Sequence, residues 1–517
     1  MRGLGPSSRQ PTLSRRQVVQ LGAIGAVAVA GSYAGVRLLD ASSPTLVGPG
    51  SRAVREVEAA RATTGNVVTR TVTAGPATVD LGGRVVSTWA YDATVPGPEI
   101  RMTAGDQLQV RLVNDLPEAT TVHWHGVALR NDMDGVPDLT MPAVAPGGTF
   151  DYAFVAPDPG TYWLHPHAGI QLDYGMQSAL VVEDPDEPGA YQQEVVLVLD
   201  DWTDGWGASP TEILAGLVRD GMGGMDGMDG MDGMGGMGGA MMGSGSASQP
   251  LGADAGDVAH PAHLINGRLP SDPVTVTAVP GDRIRFRVIN AAGDTAYRFA
   301  IGGHRLSVTH TDGTAVEPYE VDTLIVGMGE RYDVVVSVGD GAFPIVAVPE
   351  SKAGPSALAV LRSASGDAPT PGRLPAELGG QLLSYGNLRP TAETAFESRA
   401  IDRELPLVLS SRDGGRQWLI NGATFADREP LYVAAGERVR LTIVNRSMMF
   451  HPVHLHGHTF ALAGRGGTGI RKDTVNVLPM QTVSLDVQAD NPGQWMTHCH
   501  NAYHAELGMM SVVSYAV

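Results

Sequence analysis

The chain carries 15 histidines among 517 residues, so chance placement would give well under one His-x-His pair. It has five: His123/His125, His165/His167, His454/His456, His456/His458 and His498/His500. On a strand both members of such a pair point to one face, which brings imidazoles together around a metal. A lone pair is usually an incidental surface feature, but five are not. The single cysteine, Cys499, lies between His498 and His500, with His504 behind it, Met509 ten residues on and His451 upstream. One thiolate, two imidazoles and a thioether, from Cys499, His451, His504 and Met509, make the trigonal set with a weak axial Met that suits a copper electron-transfer centre. Zinc would favour more thiolates, or a carboxylate and open water, and iron two histidines with a carboxylate. The other eight histidines, His123, His125, His165, His167, His454, His456, His498 and His500, suit three copper ions held between two domains, with positions open for oxygen. Because Cys499 sits between two of them, its sulfur can hold the electron-accepting copper while both neighbours hold the cluster. Electrons then have a short covalent path.

A repeat positions these residues. The segments GDQLQVRLVN (105–114), GDRIRFRVIN (281–290) and GERVRLTIVN (436–445) alternate polar and apolar residues, the mark of a strand with one buried face. His123 and His125 lie nine and eleven residues after Asn114, and His454 and His456 lie nine and eleven after Asn445. The same offsets from Asn290 fall on Phe299 and Ile301, so the middle copy has apolar residues where the end copies have ligands. The second pair also repeats: Gly160 precedes His165 by five residues, as Gly493 precedes His498, and Gly175-Met176 and Gly508-Met509 follow at matching intervals. Short β-like runs at 69–72, 179–182, 195–199, 334–338 and 405–409, parted by Gly and Pro turns, point to β-sandwiches. Boundaries fall near 184–188, where acidic and proline residues cluster, and within 363–394, which has few strand signals. The domains are expected at 60–187, 190–365 and 395–517.

Over residues 65–517 the motifs His123-Trp124-His125-Gly126, His165-Pro166-His167, His451-Pro452-Val453-His454-Leu455-His456-Gly457 and His498-Cys499-His500 with His504 and Met509 resemble the four copper motifs of the multicopper oxidases. The resemblance implies an all-β chain of three consecutive cupredoxin-like Greek-key β-sandwich domains holding four copper ions, and an oxidase that passes electrons to O2. It places the type 2 copper on His123 and His454, and the type 3 pair on His125, His165, His167, His456, His498 and His500. Type 1 falls to His451, Cys499, His504 and Met509. Asp134, in Met133-Asp134-Gly135, matches the family's acidic residue that relays protons to oxygen; the plain alternative is a turn-forming Asp-Gly. Several family members carry a glutamate directly after the last type 1 histidine, but here that residue is Ala505, and Glu506 is only a weak substitute. His260, His263, His304, His310 and His458 lie outside the motifs and are expected to be structural or surface residues.

The reducing substrate is less directly written. Residues 222–242 carry Met222, Met225, Met228, Met231, Met234, Met237, Met241 and Met242, eight of the chain's 20 methionines, among Gly and Asp. This composition gives a flexible insertion. Soft thioethers select Cu(I), and Met448 and Met449 immediately precede His451. Together with the stretches at 131–135 and 200–205, which are similar to the copper-resistance oxidases of actinobacterial type, they favour oxidation of Cu(I) in copper tolerance. Laccase-like oxidation of small phenols and aromatic amines is the alternative. Sequestration of copper without turnover is a third reading, but it leaves a cysteine wired between two cluster ligands without a use. A formal charge of -19 argues against nucleic acid as a partner, and the expected form is a monomer. Arg2, Arg9, Arg15 and Arg16 precede an uncharged apolar stretch at 18–30, the layout of an export signal within residues 1–40. Ser14-Arg15-Arg16-Gln17-Val18-Val19 resembles a twin-arginine signal, with Val18 where the usual motif has Phe. Export to the cell envelope, periplasm or medium is expected, with cleavage near Ala28-Val29-Ala30; an uncleaved signal would anchor the protein to the membrane.

Overall fold

The computed structural model describes residues 44–517 apart from 188, 190, 222–249, 253–254 and 465–466. The expected export signal and the methionine-rich stretch at 222–242 therefore lie outside the described residues. Residues 46–517 build six sheets, two from each third of the sequence. In each third, the repeated segment forms a strand: Gln107–Asn114, Arg283–Asn290 and Arg438–Asn445. Each runs parallel to the first strand of its own domain, Val67–Asp80, Gln193–Trp202 or Arg403–Arg412. On its other edge each is antiparallel to a later one, Thr149–Val155, Arg331–Ser337 or Thr482–Gln488. The chain is thus all-β, with three copies of one cupredoxin-like sandwich.

The copies differ where their surroundings differ. Gln107–Asn114 buries Leu108, Val110 and Leu112 and leaves Gln109 and Arg111 exposed. Its middle counterpart is buried on both faces, including Arg285 and Arg287, against the expectation of one solvated face. Burial of two guanidinium groups is tolerated because Asp333 lies 2.6 Å from Arg285 and 3.2 Å from Arg287, and Glu194 lies 2.7 Å from Arg287; buried charges need such partners.

The asparagine that closes each repeat has one task three times. Asn114 Nδ2 donates to the carbonyls of Glu118 and Val144, Asn290 to Thr295 and Val326, and Asn445 to Met449 and Val477. Each Oδ1 accepts the N–H two residues on, at Leu116, Ala292 and Ser447. These bonds satisfy main-chain groups at a buried corner and fix how the chain reaches the next strand. In the first and third domains that strand carries histidines. His123 is in register with His165, and His454 with His498; the middle domain has buried Phe299 and Ile301 on the matching strand. Between His123 and His125, Trp124 points the other way and packs edge-on against Tyr152 and Phe154, as period-two alternation requires. Between the second and third sandwiches, residues 363–394 hold short 3-10 turns, Ala376–Gly379 and Tyr385–Asn387, and isolated bridges from Leu382 and Pro390 to Thr323 and Val316 of the second domain. Among the described residues no helix is long and apolar enough to cross a membrane.

Candidate metal centre

Two sites form from these strands. In the third domain, Cys499 Sγ lies 3.6 Å from His451 Nδ1 and 3.6 Å from His504 Nδ1, and the two Nδ1 atoms are 3.2 Å apart. All three residues are buried. His451 stands at the start of the strand His451–Leu455 and Cys499 ends Gln494–Cys499. His504 lies in the short helix Ala502–Glu506, where the capping Asn501 side chain accepts the N–H groups of Tyr503 and His504. The outer ring nitrogens are held: His451 Nε2 is 2.7 Å from Ser447 Oγ, and His504 Nε2 is 2.8 Å from Asp257 Oδ2. Such outer contacts fix which nitrogen is left for a metal. Met509 is buried, its N–H donates to His504 O, and its carbonyl accepts Cys499 N–H. Burial opposes protonation of His504, but the Asp257 carboxylate and Cys499 outweigh it and push the ring up to about 10. A cation at Nδ1 would take that proton's place.

The second site joins the first and third domains. Its histidines fall into buried or half-buried sets: His123, His125 and His454; His125, His165 and His500; and His167, His456 and His498. His123, His165, His454 and His498 each donate Nδ1–H to a main-chain carbonyl, of Asp134, Pro166, Asp473 and Cys499 respectively. That fixes the tautomer and leaves Nε2 as a lone pair. Nε2 of His123, His165 and His454, Nδ1 of His125 and both ring nitrogens of His500 are buried without a hydrogen-bond partner. His498 Nε2 faces His456 Nε2 at 3.1 Å and His167 Nε2 at 3.5 Å. Buried lone pairs turned on one another are costly, and a soft-to-borderline cation removes the cost. Burial, helped by neighbouring imidazoles, holds His125, His165, His167, His456, His498 and His500 well below the ordinary range, so these rings are neutral donors. The donor sets fit copper at both sites.

Two carboxylates brace the cluster. Asp134 lies 3.2 Å from His123 Nδ1 and accepts from His456 Nδ1 at 3.0 Å. Gly135 follows at φ +82, where a Cβ would strike the Val122 carbonyl at 1.9 Å, so the Asp-Gly turn is a packing requirement as well. Asp473 lies 3.2 Å from His125 Nε2 and 3.4 Å from His454 Nδ1. Burial alone would raise the Asp473 carboxyl, but Arg331, at 2.7 and 2.8 Å, holds it well below its usual range. The middle domain therefore contributes to the site through Arg331, and through Gly329, where a Cβ would meet the rings of His500 and His125 at 2.8 and 3.0 Å.

The structure brings together every histidine proposed as a ligand, with Cys499 and Asp134. Of the proposed Cu(I) pair, Met448 is 71% exposed, whereas Met449 is 2% exposed. The expectation that both face substrate is corrected: Met449 is core, because its carbonyl is tied to Asn445 and its side chain fills the apolar cluster. His260, His263, His304 and His458 are buried and His310 is half-buried. Asp257, Asp473, Arg331 and Trp418, whose ring lies 4.0 Å from that of His504 at a tilt of 31°, were not apparent in the sequence. Asp473 follows His454 by 19 residues where Asp134 follows His123 by 11, so the repeat gave no register for it; Asp257 lies in a Gly- and Ala-rich loop with no pattern.

The multicopper oxidase family profile matches residues 72–187, 244–366 and 400–516. The chain is 44% identical to the multicopper oxidase MmcO of Mycobacterium tuberculosis, over 92% of this chain and 93% of that one. It is 28% identical to a copper resistance protein A homolog of Pseudomonas syringae pv. tomato, over 86% and 91%, and 26% identical to a laccase of Phlebia radiata, over 81% and 84%. Among solved structures, it is similar to Fet3p, a multicopper oxidase that functions in iron import (TM-score 0.73, 21% identity, 87% and 90% covered). It is also similar to a multicopper oxidase of Pseudomonas thermotolerans (TM-score 0.64, 28% identity, 87% and 99% covered).

Proposed function

The chain belongs to the multicopper oxidase family, and on that premise we propose that the reducing substrate whose oxidation it couples to O2 reduction is Cu(I), in copper tolerance. The carrying observation is the outer edge of His504. There Asp257 reaches Nε2 at 2.8 Å from the loop that follows the methionine-rich stretch. Leu251 and Gly252 open that loop, and a Cβ on Gly252 would meet Pro479 at 2.9 Å and the Met448 carbonyl at 4.0 Å. Met448 and Met480 are exposed close by, at 71% and 66%. Exposed thioethers recruit a cuprous ion in preference to hard cations. Copper resistance proteins among the relatives support the same reading.

In this reading four coppers are held. His451, Cys499, His504 and Met509 hold type 1, His123 and His454 hold type 2, and His125, His165, His167, His456, His498 and His500 hold the type 3 pair. Copper so held would accept single electrons beside Cys499 and deliver them to O2 at the histidine cluster. The protein's own part is to keep the imidazoles neutral and aimed, to exclude bulk water by burial, and to pass protons toward the cluster by way of Asp134, while Asp473, kept ionised by Arg331, orients His125 and His454. A twin-arginine-type signal in residues 1–40 exports the protein, which acts outside the cytoplasm as a monomer. Phenol oxidation is the second reading, favoured by Asp257: a carboxylate at the His504 edge can accept the proton that a phenol loses with its electron. Steady-state kinetics of Met448→Ala separate the two. The Cu(I) reading requires a raised KM for Cu(I) with phenol turnover unchanged; equal effects on both substrates would reject it.

A further inference from the structure

Resting on the assignment of copper to His125 and His454, we propose that the buried triad of Asp312, Glu330 and Lys472 takes up a proton from solvent when the cluster is reduced. The triad lies in the seam between the second and third domains, and the proton comes to rest on Asp312. O2 reduction to water consumes as many protons as electrons. Ala505 removes the acidic side chain that the family resemblance would place beside His504, so Asp134 needs a partner elsewhere.

The contacts run from a solvent-facing cavity to a cluster ligand. Tyr332, Tyr385 and Asn476 line a cavity of about 670 Å³ whose rim carries the exposed Ser384, Gly386 and Thr482. Behind that wall, Glu330 Oε1 accepts from Tyr385 Oη at 2.6 Å and Tyr332 Oη at 3.3 Å, and Oε2 accepts from Asn476 Nδ2 at 2.7 Å. Lys472 Nζ lies 3.1 Å from Glu330 Oε1 and 3.0 Å from Asp312 Oδ2, and donates to Thr311 Oγ1 at 2.6 Å. On the inner side, Asp312 Oδ2 accepts the N–H groups of Asp473 and Thr474 at 3.2 and 3.1 Å. Asp473 Oδ1 and Thr474 Oγ1 each lie 3.2 Å from His125 Nε2.

Charge gives the chain its purpose. Lys472 and Arg331 face three buried carboxylates, Asp312, Glu330 and Asp473, so the network carries one uncompensated negative charge. Every electron added to the cluster is felt strongly in this low-dielectric interior, and the response that restores balance is protonation of a carboxylate. Arg331 does not exchange its proton, and Arg331 grips Asp473 through both oxygens. Asp312 has no such guanidinium grip: the Arg331 side chain comes no nearer than 3.8 Å, and only its main-chain N–H donates to Asp312 Oδ1, at 2.9 Å. Lys472, Asp473, Arg331 and Glu330 are the charged groups that face it. Burial raises its carboxyl above the usual carboxylate range, with Lys472 opposing and Asp473 adding to the rise, so negative charge added nearby favours its protonated form. The proton comes through the cavity wall by way of Tyr385 and Glu330; the electron comes from the reducing substrate.

The test is proton uptake on anaerobic reduction of the copper-loaded protein, followed with a pH-reporting dye in weak buffer near neutral pH, with copper content and paramagnetic resonance recorded for each sample. Asp312→Asn is expected to lower the number of protons taken up and to flatten the pH dependence of the cluster's midpoint potential. Tyr385→Phe, at the cavity wall, is expected to keep the total and slow the uptake. Wild-type uptake in a fully loaded Asp312→Asn would overturn the proposal. If that variant does not load copper, Tyr385→Phe decides, and uptake as fast as wild type rejects the route. A wild-type protein that loads no type 2 or type 3 copper would instead overturn the assignment on which the proposal rests.

Discussion

Asp134 and Asp473 brace the cluster as mirror partners: Asp134, from the first domain, reaches His456 of the third at 3.0 Å, and Asp473, from the third, reaches His125 of the first at 3.2 Å. Each also offers its main-chain carbonyl to a histidine of its own domain, His123 or His454. His123 stacks on His456, and His125 on His454, both at 3.8 Å. The two end domains therefore meet along a pseudo-twofold, and each carboxylate holds a histidine of the opposite domain in place.

Removing the charge of either carboxylate while keeping its shape should slow O2 reduction without emptying the cluster. Asp134→Asn is expected to lower turnover by roughly 100-fold or more, in the range of a lost proton donor. Steady-state oxygen uptake alongside copper analysis checks this. Full copper with unchanged turnover would leave Asp134 a turn residue only.

Arg331→Leu leaves Asp473 buried without its guanidinium. Breaking a buried pair from one side costs about 3 to 5 kcal/mol, so the denaturation midpoint of the metal-free protein should fall accordingly. A shift within error would mean that Asp473 is neutralised in some other way.

The legible part of this molecule is the part that repeats. Three alternating segments disclosed three sandwiches, and offsets of nine and eleven residues from Asn114 and Asn445 located the ligand strands. Spacing could not show that the middle domain reaches the cluster, because Arg331 lies in the domain without ligand pairs and its partner Asp473 is 142 residues away. Asp257 was hidden for a similar reason: its contact with His504 spans 247 residues. Met449 misled because adjacency in sequence to His451 says nothing about which of two neighbouring side chains turns inward.

Glu506 gives a pH test. Burial raises its carboxyl from an ordinary 4.5 to about 7, so the folded state holds the proton more tightly than the unfolded chain. The stabilising contribution is complete below 4.5 and is lost as pH rises through about 7. Glu506→Gln should therefore flatten the decline in melting temperature over that window, measured by calorimetry; an unaltered slope would show that Glu506 is solvated.

Copper removal should destabilise the fold, since an ion that binds only the native state adds to its stability. Loaded protein is expected to melt well above chelator-treated protein, and re-addition of copper should restore the difference. Equal melting temperatures would mean that the buried lone pairs are relieved by something other than metal.

The most direct test of the central claim is oxygen uptake by copper-loaded protein with Cu(I) or a phenol as sole reductant, comparing the intact chain with one lacking residues 222–242. The account predicts turnover on Cu(I) that falls sharply on deletion while phenol turnover holds. Cu(I) oxidation unaffected by the deletion, with equal or better phenol turnover, would contradict it and make the protein a laccase with an incidental methionine stretch.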